Sequence, residues 1–366
     1  MSEGARHRPP HVGVFLPGYE PPAFEPGVRK LSLQEIHEVR LLLRGDSVVD
    51  WHRLGLTSSE DVLRLLSVNA IDIHDPRDLA RLDTLRAEAV RYITESLGLR
   101  LDEYIATTVP ATDLLLIASS SEGRNQRQAC TLLKVMHIIY HLDARELRMA
   151  LSIPDSELFS RVEQSIVRMF DELRTLGVPV VEFAWSRKSK ESLITKLLVK
   201  RDTNAARVFD RLRFRLVVER EQDILPTLHL MLRRFIPFNY VVPGQTVNRL
   251  VDDRPIEQLL SQSRDFSMAH ADSDATPNEF SGQGYQVLNF VADLPVRIDG
   301  LVDPALLPEN SNVVFVLAEF QIIDQARAQG NEEGENSHVQ YKLRQHQRVR
   351  ERLLREPKKT ADDKAG

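Results

Sequence analysis

The hydrophobic period of this chain changes at Gly177, and that change restricts it to folds joining a helical half to a half built on β-strands. From Leu31 onward apolar residues recur at three- and four-residue steps, through Ile36, Val39 and Leu43, then Val62, Leu63, Leu65 and Leu66. This is the spacing of a buried helix face. Thr57-Ser58-Ser59-Glu60 has capping-box spacing, and Asp75-Pro76 reads as an N-cap with a first-turn proline ahead of Leu79, Leu82 and Leu85. Pro154-Asp155-Ser156 opens a helix through Val162, Ile166, Met169, Phe170 and Leu173, which Gly177 stops. After Gly177 the pattern predicts strands over 178–185, 212–218, 284–291 and 313–323, with helices over 192–199 and 224–235 between them. The expected class is α+β: a helical N-terminal region followed by a mixed β-sheet domain flanked by helices.

A length of 366 residues suits two domains at about 100–200 residues each. The expected division is a flexible Pro-rich leader over 1–27, a helical domain over 28–177, a sheet domain over 178–356 and a disordered tail over 357–366. The polar stretches 252–283 and 324–337 are expected to be loops. Cys130 is the single cysteine, which excludes an internal disulfide, a zinc ribbon or an iron–sulfur cluster; its ordinary role is a small buried hydrophobe. No apolar run approaches the ~20 residues of a membrane span, and the apolar piece of the leader is too short for a signal peptide, so a cytoplasmic protein is expected.

The formal charge is −5, yet the stretch 187–220 holds eleven bases and four acids. Such a local positive field suits polyphosphate, although a basic run is often only a solvated surface. Within it, Lys188, Ser192 and Lys196 are spaced four apart and would share one face of a helix. Over 210–218, Arg211, Arg213 and Arg215 alternate with Leu212, Phe214 and Leu216, which places the arginines on one strand face. Glu319 and Gln321 interrupt a strand that is otherwise apolar on both faces, the mark of a central buried strand. A carboxylate buried there costs several kcal/mol unless a cation or metal compensates it. An arginine of the neighbouring strand is the ordinary compensator; a magnesium ion shared with Asp210 and substrate phosphates is the functional one.

In order and approximate spacing these segments resemble the RelA/SpoT-type alarmone synthetases. The family's K-S-x-x-S-x-x-x-K is met by Lys188, Ser189, Ser192 and Lys196, and its D-x-x-G-x-R by Asp210 and Arg215, with Arg213 in place of the glycine. Its G-Y-Q-S-L-H is matched by Gly284-Tyr285-Gln286-Val287-Leu288-Asn289, and its E-x-Q-I-R-T by Glu319, Gln321 and Ile322. The resemblance covers about half the chain and implies a nucleotidyltransferase-like domain that moves pyrophosphate from ATP to a ribose 3′-hydroxyl. It implies that Lys188, Ser192 and Lys196 hold ATP phosphates, that Asp210 and Glu319 bind magnesium, and that Glu319 draws the proton from the acceptor hydroxyl. Arg213, Arg215, Gln286 and Gln321 join the nucleotide-binding set, and Tyr285 stacks on the acceptor base. The implied partners are ATP and a guanine nucleotide, or a tRNA 3′ end held by the basic helix expected over 338–355.

Three positions depart from the family pattern: Ser186 and Ile323 stand where it has arginines, and Asn289 where it has histidine. They support the alternative of a catalytically inactive nucleotide or RNA sensor whose helical half recruits a partner. Two other histidine motifs have ordinary explanations. His74-Asp75 is better read as a helix start than as part of a His-Asp hydrolase with His52 or His37, and His137 and His141 lack the intervening glutamate of a zincin.

Overall fold

Apart from Glu319, Gln321 and the terminal Asp324, Val313–Asp324 is apolar on both faces, and in the computed structural model it occupies the centre of a sheet, as such a run requires. The structure describes residues 31–44, 55–120, 123–199, 211–252, 254, 256, 284–303, 307, 312–333 and 338–354. Five strands, β1 (Val180–Arg187), β2 (Leu212–Val218), β3 (Val247–Asn248), β4 (Leu288–Arg297) and β5 (Val313–Asp324), pair in the order β1-β2-β5-β4-β3. The β2–β5 pairing is parallel, whereas β1–β2, β3–β4 and β4–β5 are antiparallel, so the sheet is mixed and the class is α+β.

Alternation along the strands gives the sheet two unlike faces. On one, Phe214, Phe320 and Phe290 stand in line across β2, β5 and β4, with neighbouring ring centroids 5.4 and 5.3 Å apart. Helix α6 (Asp155–Thr175) meets this side through Phe170, whose ring lies against Phe183 of β1. Helices α1 (Leu33–Arg44) and α8 (Ile224–Arg234) contribute to the same core. Both α1 and α6 precede Gly177, so the sheet's core draws on the N-terminal half of the chain.

The second core belongs to α2 (Ser59–Val68), α3 (Pro76–Arg91), α4 (Leu114–Ser119) and the 27-residue α5 (Arg124–Ala150), together with the π-helical turns Tyr92–Ser96 and Tyr104–Thr108. Val313 of β5 joins it, and Phe315 packs against it, from the face opposite the phenylalanine line. Thus the helical bundle covers one end of that second face.

Local signals account for most helix boundaries. Asp75 caps α3 by accepting from the Arg77 amide, Pro76 fills the first turn, and Gly177 ends the α6 segment at φ +85°. The capping box on α2 is shifted by one residue from the expected Thr57–Glu60: Ser58 and Asp61 form it, Asp61 accepting from the amides of Thr57 and Ser58. The stretch after β5, expected to be a loop, contains helix α9 (Gln325–Glu332), capped by Asp324 accepting from the Arg327 amide at 3.1 Å. The third expected strand begins later, at Leu288, and β3 was not foreseen. The leader, the tail and most of the expected loop over 252–283 lie outside the described residues.

Candidate functional site

The end of the second sheet face away from the helical bundle carries the polar residues. By register, Ser186, Arg213, Glu319 and Val291 form one row across β1, β2, β5 and β4; Ala184, Arg215, Gln321, Asn289 and Val247 form the next, ending on β3. Directly paired residues share a face, so Arg213, Arg215, Glu319, Gln321 and Asn289 converge without help from any loop.

Glu319 is the centre of this group and only 4% exposed. Arg213 donates from Nε to its Oε2 at 2.9 Å, while Asn289 and Gln321 donate side-chain N–H groups to Oε1, the latter at 3.2 Å. Three donors, one of them charged, offset the desolvation that would otherwise forbid a carboxylate on a central strand. The neighbouring-strand arginine expected as the ordinary compensator is therefore present. Arg215 reaches Glu332 of α9 at 3.5 Å. Tyr285, half-buried, belongs to the same neighbourhood: burial raises its phenol pKa, Arg213 and Arg215 pull it down, and Glu319 pushes it up.

Gln286 is held by α9 instead. Its side-chain oxygen accepts from Arg327 at 3.0 Å, and its backbone exchanges two hydrogen bonds with the Asn331 side chain. The Lys188 amide donates to the Arg211 carbonyl at 2.9 Å, just beyond the end of the β1–β2 pairing. Ser192 and Lys196 are half-buried on the following helix, α7 (Lys190–Val199). Asp210, the second carboxylate expected for magnesium, lies outside the described residues, among which no group of three His, Cys, Asp or Glu could hold a metal. A magnesium ion bound through phosphates needs only one or two protein carboxylates, so Glu319 fits that role once Arg213 withdraws.

The basic stretch does not act as one surface. Arg187 points to the phenylalanine side, where it forms a two-pronged ion pair with Glu163 of α6 at 2.6 and 2.7 Å. Arg211 pairs with Asp155 and lies 5.1 Å from the Phe159 ring centre. These two arginines dock α6. Arg187 therefore does not replace the arginine missing at Ser186. Ile323 is buried on the face of Glu319, so the family's second arginine position is apolar here, and Asn289 supplies a neutral donor where the family has histidine.

Sequence reasoning did not single out Glu332, and it included Lys342 only as one base of the helix expected over 338–355. Lys342 lies on α10 (His338–Leu353) and donates from Nζ to Ser192 Oγ at 3.1 Å. A helix rich in lysine and arginine was the available signal, although it could not specify the Ser192 contact. The remaining histidine motifs have structural partners. Asp75 is held down to about 2 by hydrogen bonds from Arg77, with Arg297 adding to the effect. His137 and His141 stack on Tyr240 with ring centroids 4.5 and 5.7 Å away, and His141 Nε2 lies 2.6 Å from Asp293. Cys130 is buried.

No family model and no curated protein matches the chain. Among solved structures, it is similar to small alarmone synthetase 2 from Bacillus subtilis at 17% identity and a TM-score of 0.32, over 60% of this chain and 86% of that one. It is similar to small alarmone synthetase 1 from Bacillus subtilis bound to its product pppGpp at 15% identity and a TM-score of 0.30, over 59% and 88%. A GTP pyrophosphokinase family protein from Streptococcus pneumoniae gives 15% and 0.25, over 56% and 89%. All three likenesses are weak in both sequence and shape. No helix among the described residues is long and apolar enough to cross a membrane.

Proposed function

We propose that this polar sheet face binds a nucleoside polyphosphate and that the chain transfers pyrophosphate from ATP to the 3′-hydroxyl of a guanine nucleotide or of a tRNA 3′ end. The observation supporting this reading is the buried carboxylate of Glu319 set between arginine-bearing and amide-bearing strands, with Tyr285 beside it. Phosphoryl-type transfer is mainly positioning and charge neutralisation, and this face supplies both. Lys188, Ser192 and Lys196 hold the ATP phosphates, Arg215 and Gln321 orient the nucleotides, and Tyr285 stacks on the acceptor base. An incoming phosphate competes with Glu319 for the Arg213 guanidinium. Once released, the Glu319 carboxylate takes the proton of the 3′-hydroxyl as that oxygen bonds to the β-phosphorus of ATP and AMP leaves. Magnesium, held by Asp210, Glu319 and the phosphates, would neutralise their charge when bound.

A second reading is an inactive nucleotide or RNA sensor. It is favoured by Arg213, which stands at the position of the family's glycine and occupies the carboxylate that catalysis requires. Incubating the protein with γ-labelled ATP, magnesium and GDP, GTP or bulk tRNA separates the two. Labelled acceptor that disappears in Glu319→Gln and Asp210→Asn supports transfer. ATP binding without labelled acceptor supports the sensor, and labelled acceptor appearing only in Arg213→Gly would trace the inactivity to that arginine. Absence of binding to ATP, to guanine nucleotide at millimolar concentration and to tRNA defeats both.

A further inference from the structure

The two β2 arginines of the candidate site are paired with acids, Arg213 with Glu319 and Arg215 with Glu332. Lys342 is held differently. It is half-buried, and its ammonium is directed at a neutral hydroxyl, Ser192 Oγ, at 3.1 Å. No carboxylate among the described residues forms an ion pair with it. A serine oxygen uses one of the three ammonium donors and does not neutralise the charge.

The surroundings are suited to an anion. Ser189 accepts from the Ser192 amide at 3.3 Å and so caps the start of α7, while the two serine hydroxyls lie 3.4 Å apart. The first turn of a helix presents unpaired amides and a positive dipole end, which favour phosphate. Helix α10 packs along α7 and brings Lys342 to this turn from the far end of the chain. Gln345, buried one turn along α10, donates to the Tyr341 hydroxyl at 2.7 Å and steadies the presenting segment.

We propose that Lys342 is a phosphate-binding residue of the candidate site, contacting the terminal phosphates of a nucleoside triphosphate seated at the amino end of α7. The inference rests on the nucleotide-binding reading above and adds a cation from the C-terminal helix to a flank where Ser186 supplies none. Lysine acts on phosphate as a point charge, so arginine should substitute in part and neutral residues should not.

Two measurements test this. The first is calorimetric titration of ATP and AMP into the wild-type chain, Lys342→Gln and Lys342→Arg, with thermal unfolding to verify folding. Lys342→Gln should weaken ATP by about 10- to 100-fold, the worth of one charge-assisted hydrogen bond, leave AMP nearly unchanged, and be partly restored in Lys342→Arg. The second needs no variant: acetylation of surface amines followed by mass spectrometry should show Lys342 protected several-fold by ATP but not by AMP. If the wild type binds ATP while Lys342→Gln binds it equally and Lys342 gains no protection, the assignment is overturned and the nucleotide site stands. If the wild type binds no ATP, the site reading fails, and the assignment with it.

Discussion

The two ends of the sheet's polar face satisfy their charges in different ways. At the covered end, Asp293 and Arg297 of β4 find partners in the helical bundle: Asp293 meets His141, and Arg297 donates to Asp78 and to the Ala70 carbonyl at 3.2 Å and lies 3.3 Å from Asp75. At the open end, Glu319 is satisfied within the sheet by Arg213, Asn289 and Gln321. Charges matched across a seam hold two bodies together, and their removal should cost stability. Charges matched within one face hold no second body in place, and an added ligand can rearrange them.

The largest effect should come from Arg297→Ala. Asp78, almost wholly buried, would lose its cation along with the bond to the Ala70 carbonyl, which we expect to cost about 3 kcal/mol. Urea denaturation should show the loss, and nucleotide affinity should change little. An unfolding midpoint within error of the wild type would mean that the seam is not where the charges matter.

Acid should weaken the covered end next. Burial, with His141 adding to it, pushes the His137 pKa down to about 4, against about 6.5 in an unfolded chain. The unfolded state therefore takes up the proton first. Stability is complete above about pH 6.5 and is lost as pH falls toward 4, by about 2–3 kcal/mol for this group. His229, also pushed down to about 4 by burial against the opposing pull of Glu35, contributes separately. His137→Gln should flatten part of the slope of melting temperature against pH between 4 and 6.5; an unchanged slope would remove His137 from the account.

At the open end, a double-mutant cycle on Glu319→Gln and Arg213→Gln should give a coupling of about 1–2 kcal/mol, smaller than the seam effect because the Arg213 side chain is 31% exposed. Saturating ATP should reduce that coupling if phosphate takes the guanidinium. Equal coupling with and without ATP would separate Arg213 from the nucleotide.

The contrast also explains what could be read in advance. The central strand, the shared face of Arg213 and Arg215 and the solitary carboxylate at Glu319 follow from alternation and burial, which are local patterns. The donors to Glu319 from neighbouring strands, Arg213 at 106 positions and Asn289 at 30, depend on strand register, so only the arginine was anticipated, as a class. The sequence of helix α9 reads as a loop because Gly330 and Asn331 are poor helix formers. Asp324 supplies its cap, Arg327 bridges Glu221, Asp324 and Gln286, and Asn331 clasps the Gln286 backbone. Arg187 and Arg211 looked like ligand-binding cations for the same reason: their partners, Glu163 and Asp155, belong to a helix in the other half of the chain.

The smallest change calibrates the other three because it touches neither end of the face. Ser58→Ala removes the N-cap hydroxyl of α2, which accepts from the Asp61 amide at 3.2 Å and donates to the Asp61 carboxylate at 2.9 Å. A lost cap costs about 1 kcal/mol. Burial raises the Asp61 pKa, but donors from Thr57 and Ser58 outweigh it and hold the carboxyl below its ordinary range. Its contribution is therefore present above the unfolded value and is lost as pH falls through the lowered one. Removing the Ser58 hydroxyl should shrink that acid-side loss while leaving the pH 4–6.5 slope of His137 and the Glu319–Arg213 coupling as they were. Should Ser58→Ala alter that coupling, helix α2 and the open end would be energetically linked, and the sheet face would no longer divide into an independent seam and an independent site.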